Sequence, residues 1–172
     1  MTRTVPRFLL IFSIFIGACA TPELSGPPRL GMKFMDVYPP QFGGGTHDGL
    51  DLDAPLGTPV RSIADGVVAL STTYDLRGNL TNVVLIQHKD RTASRYLHIE
   101  KVLVKRGDEV KKGQQIAVLG LNGPGGPNTS ARVPYPHLHL EVYRNDRLID
   151  PLLLKMDCKE GDWRWPIGCA GN

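Results

Sequence analysis

The sequence predicts an all-β domain built on antiparallel pairing, and three observations carry that expectation. Short runs alternate apolar and polar residues with period two, the spacing that puts successive side chains on opposite faces of a strand. The 19 glycines and 14 prolines punctuate the chain into short pieces with many turns. No stretch after the N-terminal region carries a 3.6-residue apolar period long enough for two helical turns.

Taken in order, the elements start after Gly43-Gly44-Gly45, which allows positive φ or close backbone approach just before His47. Gly49-Leu-Asp-Leu-Asp53 then alternates, placing Asp51 on the face opposite Leu50 and Leu52. Val60 to Leu70 reads as two short strands joined at Asp65-Gly66, a strong hairpin cue. Arg77-Gly78-Asn79 is turn-like and leads into a β-rich run from Asn82 to His88. Arg95 to Ile99 makes another strand, with Tyr96 and His98 expected on one side. Val102 to Gly120 supplies further strand and turn pieces, and residues 121–135 form a loop rich in glycine and proline. That loop is either one wall of a substrate groove or an excursion without contacts. His137 to Tyr143 alternates cleanly, with His137, His139 and Glu141 opposite Leu138, Leu140 and Val142.

At 172 residues, with 41% hydrophobic and 22% charged residues, the chain suits one soluble globular domain with a real core. Its net charge of +3 is mild. No Lys/Arg run is dense enough for nucleic acid; Lys105-Arg106 and Lys111-Lys112 suit solvated turns and strand ends.

The ends are read separately. Arg3 and Arg7 precede an apolar run from Phe8 to Ala18, too short to span a bilayer comfortably, so residues 1–20 are expected to be an export signal. Ile16-Gly17-Ala18-Cys19 resembles a bacterial lipobox, whose cysteine is lipidated and anchors the protein in a membrane. Ala18-Cys19-Ala20 also fits cleavage that removes Cys19. The expected address is the cell envelope or periplasm, with lipid anchoring at Cys19 (at the outer membrane of a two-membrane cell). Residues 21–33 are expected to be a tether, 34–155 the folded domain and 156–172 a tail. Cys158 and Cys169 in that tail can form a disulfide outside the cytoplasm, contributing on the order of 2–3 kcal/mol. Unlinked thiols or a metal pair are the other readings.

Four of the five histidines fall in or near patterns with chemical meaning. His47 and Asp51 sit four apart, and His137 and His139 share a strand face. Neutral imidazoles with a carboxylate are common zinc donors, and hydrolytic zinc sites keep one position open. One histidine of the pair can then bind metal while the other handles protons, since imidazoles titrate near neutral pH. Each residue alone has an ordinary reading. His47 suits a surface loop, Asp51 a turn, and the His137/His139 pair the polar face of an edge strand. His88 reads as a solvated strand-end histidine, Tyr96 as packing, and Glu141 as a structural neighbour of the row.

Five motifs in order complete the picture: Thr46-His-Asp-Gly-Leu-Asp-Leu-Asp-Ala-Pro-Leu-Gly-Thr-Pro-Val60, Ala64-Asp-Gly-Val-Val68, Tyr96-Leu-His98, Val104-Lys-Arg-Gly-Asp-Glu-Val-Lys-Lys-Gly-Gln-Gln115, and Pro136-His-Leu-His-Leu-Glu-Val142. Across roughly residues 42–151 the chain resembles the lysostaphin/LytM family of zinc metallopeptidases. The resemblance implies an antiparallel β-sheet core with an open groove, related in shape to barrel-sandwich hybrids, and cleavage of peptides in bacterial peptidoglycan. It implies that His47, Asp51 and His139 bind Zn(2+), and that His98 and His137 are the catalytic histidines. The long 121–135 loop and the cysteine-bearing tail depart from the family pattern.

Two rivals differ in class. A non-catalytic module binding the wall or regulating a wall amidase would be expected to lose ligands, yet none of the five positions is missing. A biotinyl- or lipoyl-type carrier needs a lysine presented at a tight hairpin, and Asp65-Gly66 offers none.

Overall fold

The computed structural model describes residues 29–40, 44–76, 79–121 and 136–154. The expected export signal with Cys19, the Gly43 position, the Arg77-Gly78 turn, residues 122–135 of the expected loop and the Cys158–Cys169 tail lie outside the described residues.

Ten strands are formed among the described residues: β1 (Arg29–Leu30), β2 (Leu50–Asp53), β3 (Pro59–Arg61), β4 (Gly66–Leu76), β5 (Asn79–His88), β6 (Thr92–Val102), β7 (Glu109–Val110), β8 (Gln115–Leu119), β9 (His137–Arg144) and β10 (Arg147–Ile149). A 3₁₀ turn at Pro151–Leu153 is capped by the Asp150 side chain, which accepts from the Leu152 N–H. The sheet runs β1-β2-β9-β6-β5-β4-β7, with β10 on β9 and with β8 joining β3 and β6. Every pairing is antiparallel, as the alternation predicts.

The β2–β9 pair shows why the register is fixed. Leu50 lies opposite Leu140 and Leu52 opposite Leu138, and all four are fully buried in the core. Burying each contributes about 1.5–3 kcal/mol. A slip by one residue would exchange these leucines for Asp51, His137 and His139, so the apolar face locks the polar one. That polar face carries the candidate site.

Strand β6 forks. Its first part pairs with β9 up to Leu97 opposite His139, and its last part pairs with β8 from Ile99 opposite Leu119. His98 stands at the fork in the left-handed region, φ 61°. For a non-glycine residue this costs roughly 1–3 kcal/mol, a strain met most often at functional positions. The break in alternation corrects an expectation: Tyr96 and His98 do not share a face. Tyr96 is fully buried in the core, whereas the His98 ring lies 4.7 Å from that of His137.

Three further expectations change. Asp65-Gly66 does not close a hairpin, because β3 pairs with β8 and β4 pairs with β5 and β7. The Asp65 carboxylate instead accepts from the Lys112 N–H at 2.7 Å, and a Cβ at Gly66 would meet the Gln87 carbonyl oxygen at 2.4 Å. That glycine serves close approach rather than a turn. His88 is not simply solvated. Its Nδ1 donates to the Asp65 carbonyl at 2.9 Å, and its Nε2 lies 2.7 Å from Ser94 Oγ. Ser94 Oγ is in turn 3.0 Å from Tyr96 Oη, which accepts from the Ile63 N–H at 2.9 Å. Burial pushes the His88 pKa down, opposed by its hydrogen bond to the Asp65 carbonyl. Finally, the sheet begins before Phe34: Arg29 and Leu30 pair with Asp53 and Leu52, inside the stretch expected to be a tether. Main-chain pairing of this kind leaves no trace in a composition rich in proline and glycine.

Candidate metal centre

Strand β2 and the residues before it deliver the first two side chains. Gly44 and Gly45 take φ of 66° and 93° and turn the chain back, so that Tyr38 N–H reaches the Gly45 carbonyl and His47 N–H the Asp36 carbonyl. His47 is thereby fully buried, and its Nδ1 donates to the Lys33 carbonyl at 2.9 Å. That bond settles the tautomer and leaves the Nε2 lone pair pointing into the site. Asp51 lies directly opposite His139 across β2–β9.

Three donor atoms meet there. His47 Nε2 is 3.0 Å from Asp51 Oδ1 and 3.0 Å from His139 Nδ1, and His139 Nδ1 is 2.9 Å from Asp51 Oδ1. All three lie within 4.8 Å of one another, a group able to hold a metal ion. Four ligands around zinc at 2.0–2.1 Å are separated by about 3.3 Å, so this triangle needs to widen by only a few tenths of an ångström. Two imidazoles and one carboxylate form a hydrolytic zinc set, and the residues fit that ion.

The remaining sequence-derived candidates close on the same face. His137 Nε2 stands 3.7 Å from Asp51 Oδ1, and His137 is only 6% exposed. The His98 ring lies 4.7 Å from the His137 ring and 6.0 Å from that of His139, both edge-on. All five expected residues are therefore brought together.

The charges are strongly coupled. Burial works to raise the Asp51 carboxyl, but the hydrogen bond from His139 holds it well below the usual carboxylate range. Burial works to lower His139, yet Asp51 and Glu141 push it up to about 9. Glu141, raised by burial, is brought down to about 2 by His139, Tyr143 and Arg95.

Several neighbours were not singled out from the sequence. Arg95 bridges to Glu141 at 3.2 Å, Tyr143 donates its hydroxyl to the same carboxylate, and Tyr38 packs edge-on against the His47 ring at 5.6 Å. Tyr143 was within reach, since it continues the odd-numbered row of β9. Arg95 was not, because its place depends on the cross-strand register. Tyr38 and the Lys33 carbonyl follow no sequence pattern.

The chain is similar to known proteins in sequence and in fold. The sequence profile of peptidase family M23 matches residues 45–151. The peptidoglycan DD-endopeptidase ShyA of Vibrio cholerae is 41% identical over 106 residues, covering 62% of this chain and 22% of ShyA. The glycyl-glycine endopeptidase ALE-1 of Staphylococcus capitis is 34% identical over 121 residues, 67% of this chain and 30% of that protein. The chain thus spans less than a third of the length of these relatives. Among solved structures, a zinc-containing peptidase from Vibrio cholerae superposes with a TM-score of 0.59 at 35% identity, over 71% of this chain and 35% of that one. The catalytic domain of lysostaphin from Staphylococcus simulans gives 0.59 at 29% identity, over 73% of this chain and 90% of that domain.

Proposed function

This chain belongs to peptidase family M23, and we propose that it is a zinc-dependent endopeptidase hydrolysing peptide bonds in peptidoglycan stem peptides or cross-bridges. The observation that carries this reading is the convergence of the His47, Asp51 and His139 donor atoms beside two further imidazoles, those of His98 and His137. Likeness to ShyA and ALE-1, named for peptidoglycan DD- and glycyl-glycine bonds respectively, supports the substrate class.

In this reading His47 Nε2, Asp51 Oδ1 and His139 Nδ1 hold the zinc. When bound, zinc polarises the scissile carbonyl and makes water acidic enough to attack near neutral pH. His137 and His98 handle the proton. One imidazole takes it as the water oxygen adds to the carbonyl carbon, and it leaves on the amine nitrogen as the C–N bond breaks. The other imidazole donates a hydrogen bond to the oxygen on which negative charge gathers. The left-handed backbone at His98 accompanies a ring placed 4.7 Å from that of His137.

We further assign the peptidase domain to residues 34–155, extended upstream by β1, with an exported N-terminal segment lipidated at Cys19 and a disulfide between Cys158 and Cys169. Labelled palmitate incorporation lost on Cys19→Ser tests the anchor.

The deciding experiment incubates the purified mature chain with peptidoglycan sacculi, with and without a chelator, and identifies the released fragments by mass spectrometry. Peptide cleavage that the chelator stops and zinc restores is the expected result. Sacculi left intact by zinc-loaded protein would overturn the assignment.

A further inference from the structure

We propose that Arg95, Glu141 and Tyr143 form a positioning set for His139, fixing which ring nitrogen it offers to a metal; this rests on the zinc-site reading above. The two histidines of the donor triangle present opposite nitrogens, Nε2 from His47 and Nδ1 from His139. Each must therefore have its other nitrogen occupied by an acceptor if the ring is to stay in that orientation.

The two rings are anchored differently. His47 uses the main chain, through the Lys33 carbonyl at 2.9 Å. His139 has a side chain behind it: its Nε2 faces Glu141 Oε1 at 3.5 Å. A side-chain anchor is only as fixed as its own supports, and Glu141 has two. Arg95 Nη1 donates to both carboxylate oxygens, at 3.3 Å and 3.2 Å, from directly across the β6–β9 ladder. Tyr143, two residues along the same face of β9, donates its hydroxyl to Oε2. With Oε2 taken by Tyr143 and Arg95 bridging the pair, Oε1 is turned to His139. Glu141 is 5% exposed, so water competes little for these bonds.

The arrangement gives three residues outside the donor triangle control over one of its corners. Removing such a carboxylate behind a ligating imidazole typically weakens metal affinity by about 10–100-fold. Loss of one support weakens it less, in the same direction.

The test uses the full mature chain stripped of metal. Zinc affinity is measured by competition with a chromophoric chelator, and the visible absorption spectrum is recorded with cobalt(II) in place of zinc. For Glu141→Gln we expect zinc affinity about 10–100-fold weaker and altered cobalt bands. Tyr143→Phe, which keeps the ring, should show a smaller loss of affinity while the metal-free chain still melts cooperatively. Wild-type affinity and cobalt spectrum in both variants would overturn the inference. So would an affinity loss that merely tracks a fall in metal-free stability. A wild-type chain that binds no zinc would instead overturn the metal-site reading itself, and this inference with it.

Discussion

Gly49→Ala is the most telling single change to the candidate site. Gly49 lies between His47 and Asp51, where a Cβ would stand 2.5 Å from the Leu140 carbonyl oxygen and 3.0 Å from His139 Nε2. Real Cβ contacts essentially never fall below 3.0 Å, so β2 and β9 must part by at least 0.5 Å at this point. The two strands also hold Asp51 against His139 at 2.9 Å, one rung away. The separation is therefore transmitted directly to the donor triangle. Overpacking of this kind costs about 1–3 kcal/mol. For a domain of this size that lowers the melting temperature by roughly 3–10 °C. Zinc affinity, read by chelator competition, should fall at least about tenfold, or about 1.4 kcal/mol. Gly107→Ala serves as the contrast, since it has φ 93° and nothing within 4 Å of its Cβ. It should cost about 1–2 kcal/mol through backbone strain and leave zinc binding alone. Unchanged zinc affinity in Gly49→Ala would refute the argument that strand approach sets the site.

Three other outcomes are expected. His139→Ala should lose zinc by metal analysis, whereas His137→Ala should keep it and cleave peptidoglycan fragments about 10²–10⁴-fold more slowly; equal zinc content in the two would contradict their assigned roles. In the metal-free protein, His139 is raised above its unfolded value of about 6.5 to about 9 by Asp51 and Glu141, against the effect of burial. Its contribution to stability is thus complete below pH 6.5 and lost as pH rises through 9, so thermal melts of chelated protein should decline over that window. Zinc displaces the proton, so zinc-loaded protein should lack this decline and zinc affinity should rise with pH. Tyr96→Phe removes the acceptor of the buried Ile63 N–H, costing about 1–3 kcal/mol by denaturant unfolding with zinc affinity unchanged.

Wherever alternation runs unbroken, sequence and structure agree. The row His137, His139, Glu141 on one face of β9, with leucines on the other, is legible because burial of one face forbids slippage. Asp51 follows from the same rule on β2. What escaped the sequence depends on contacts between distant segments. Arg95 meets Glu141 only through cross-strand register, and His98 escapes strand alternation because β6 changes partners beside it. The Lys33 carbonyl fixes the His47 tautomer with a main-chain atom that every residue type offers. Asp65-Gly66 misled because the same dipeptide that suits a tight hairpin also suits a carboxylate bracing a neighbouring loop.

Asp51 and His139 are 88 residues apart in the chain, and the donor triangle exists only once β9 lies against β2. A nascent polypeptide emerging amino end first carries His47 and Asp51 without His139 for the 88 residues that separate Asp51 from it. Such a half-site has two donors and too few contacts to retain an ion. The donor set is therefore incomplete until β9 docks on β2, a non-local closure of the kind that folding reaches slowest. A growing chain has no complete metal cradle until that closure is made.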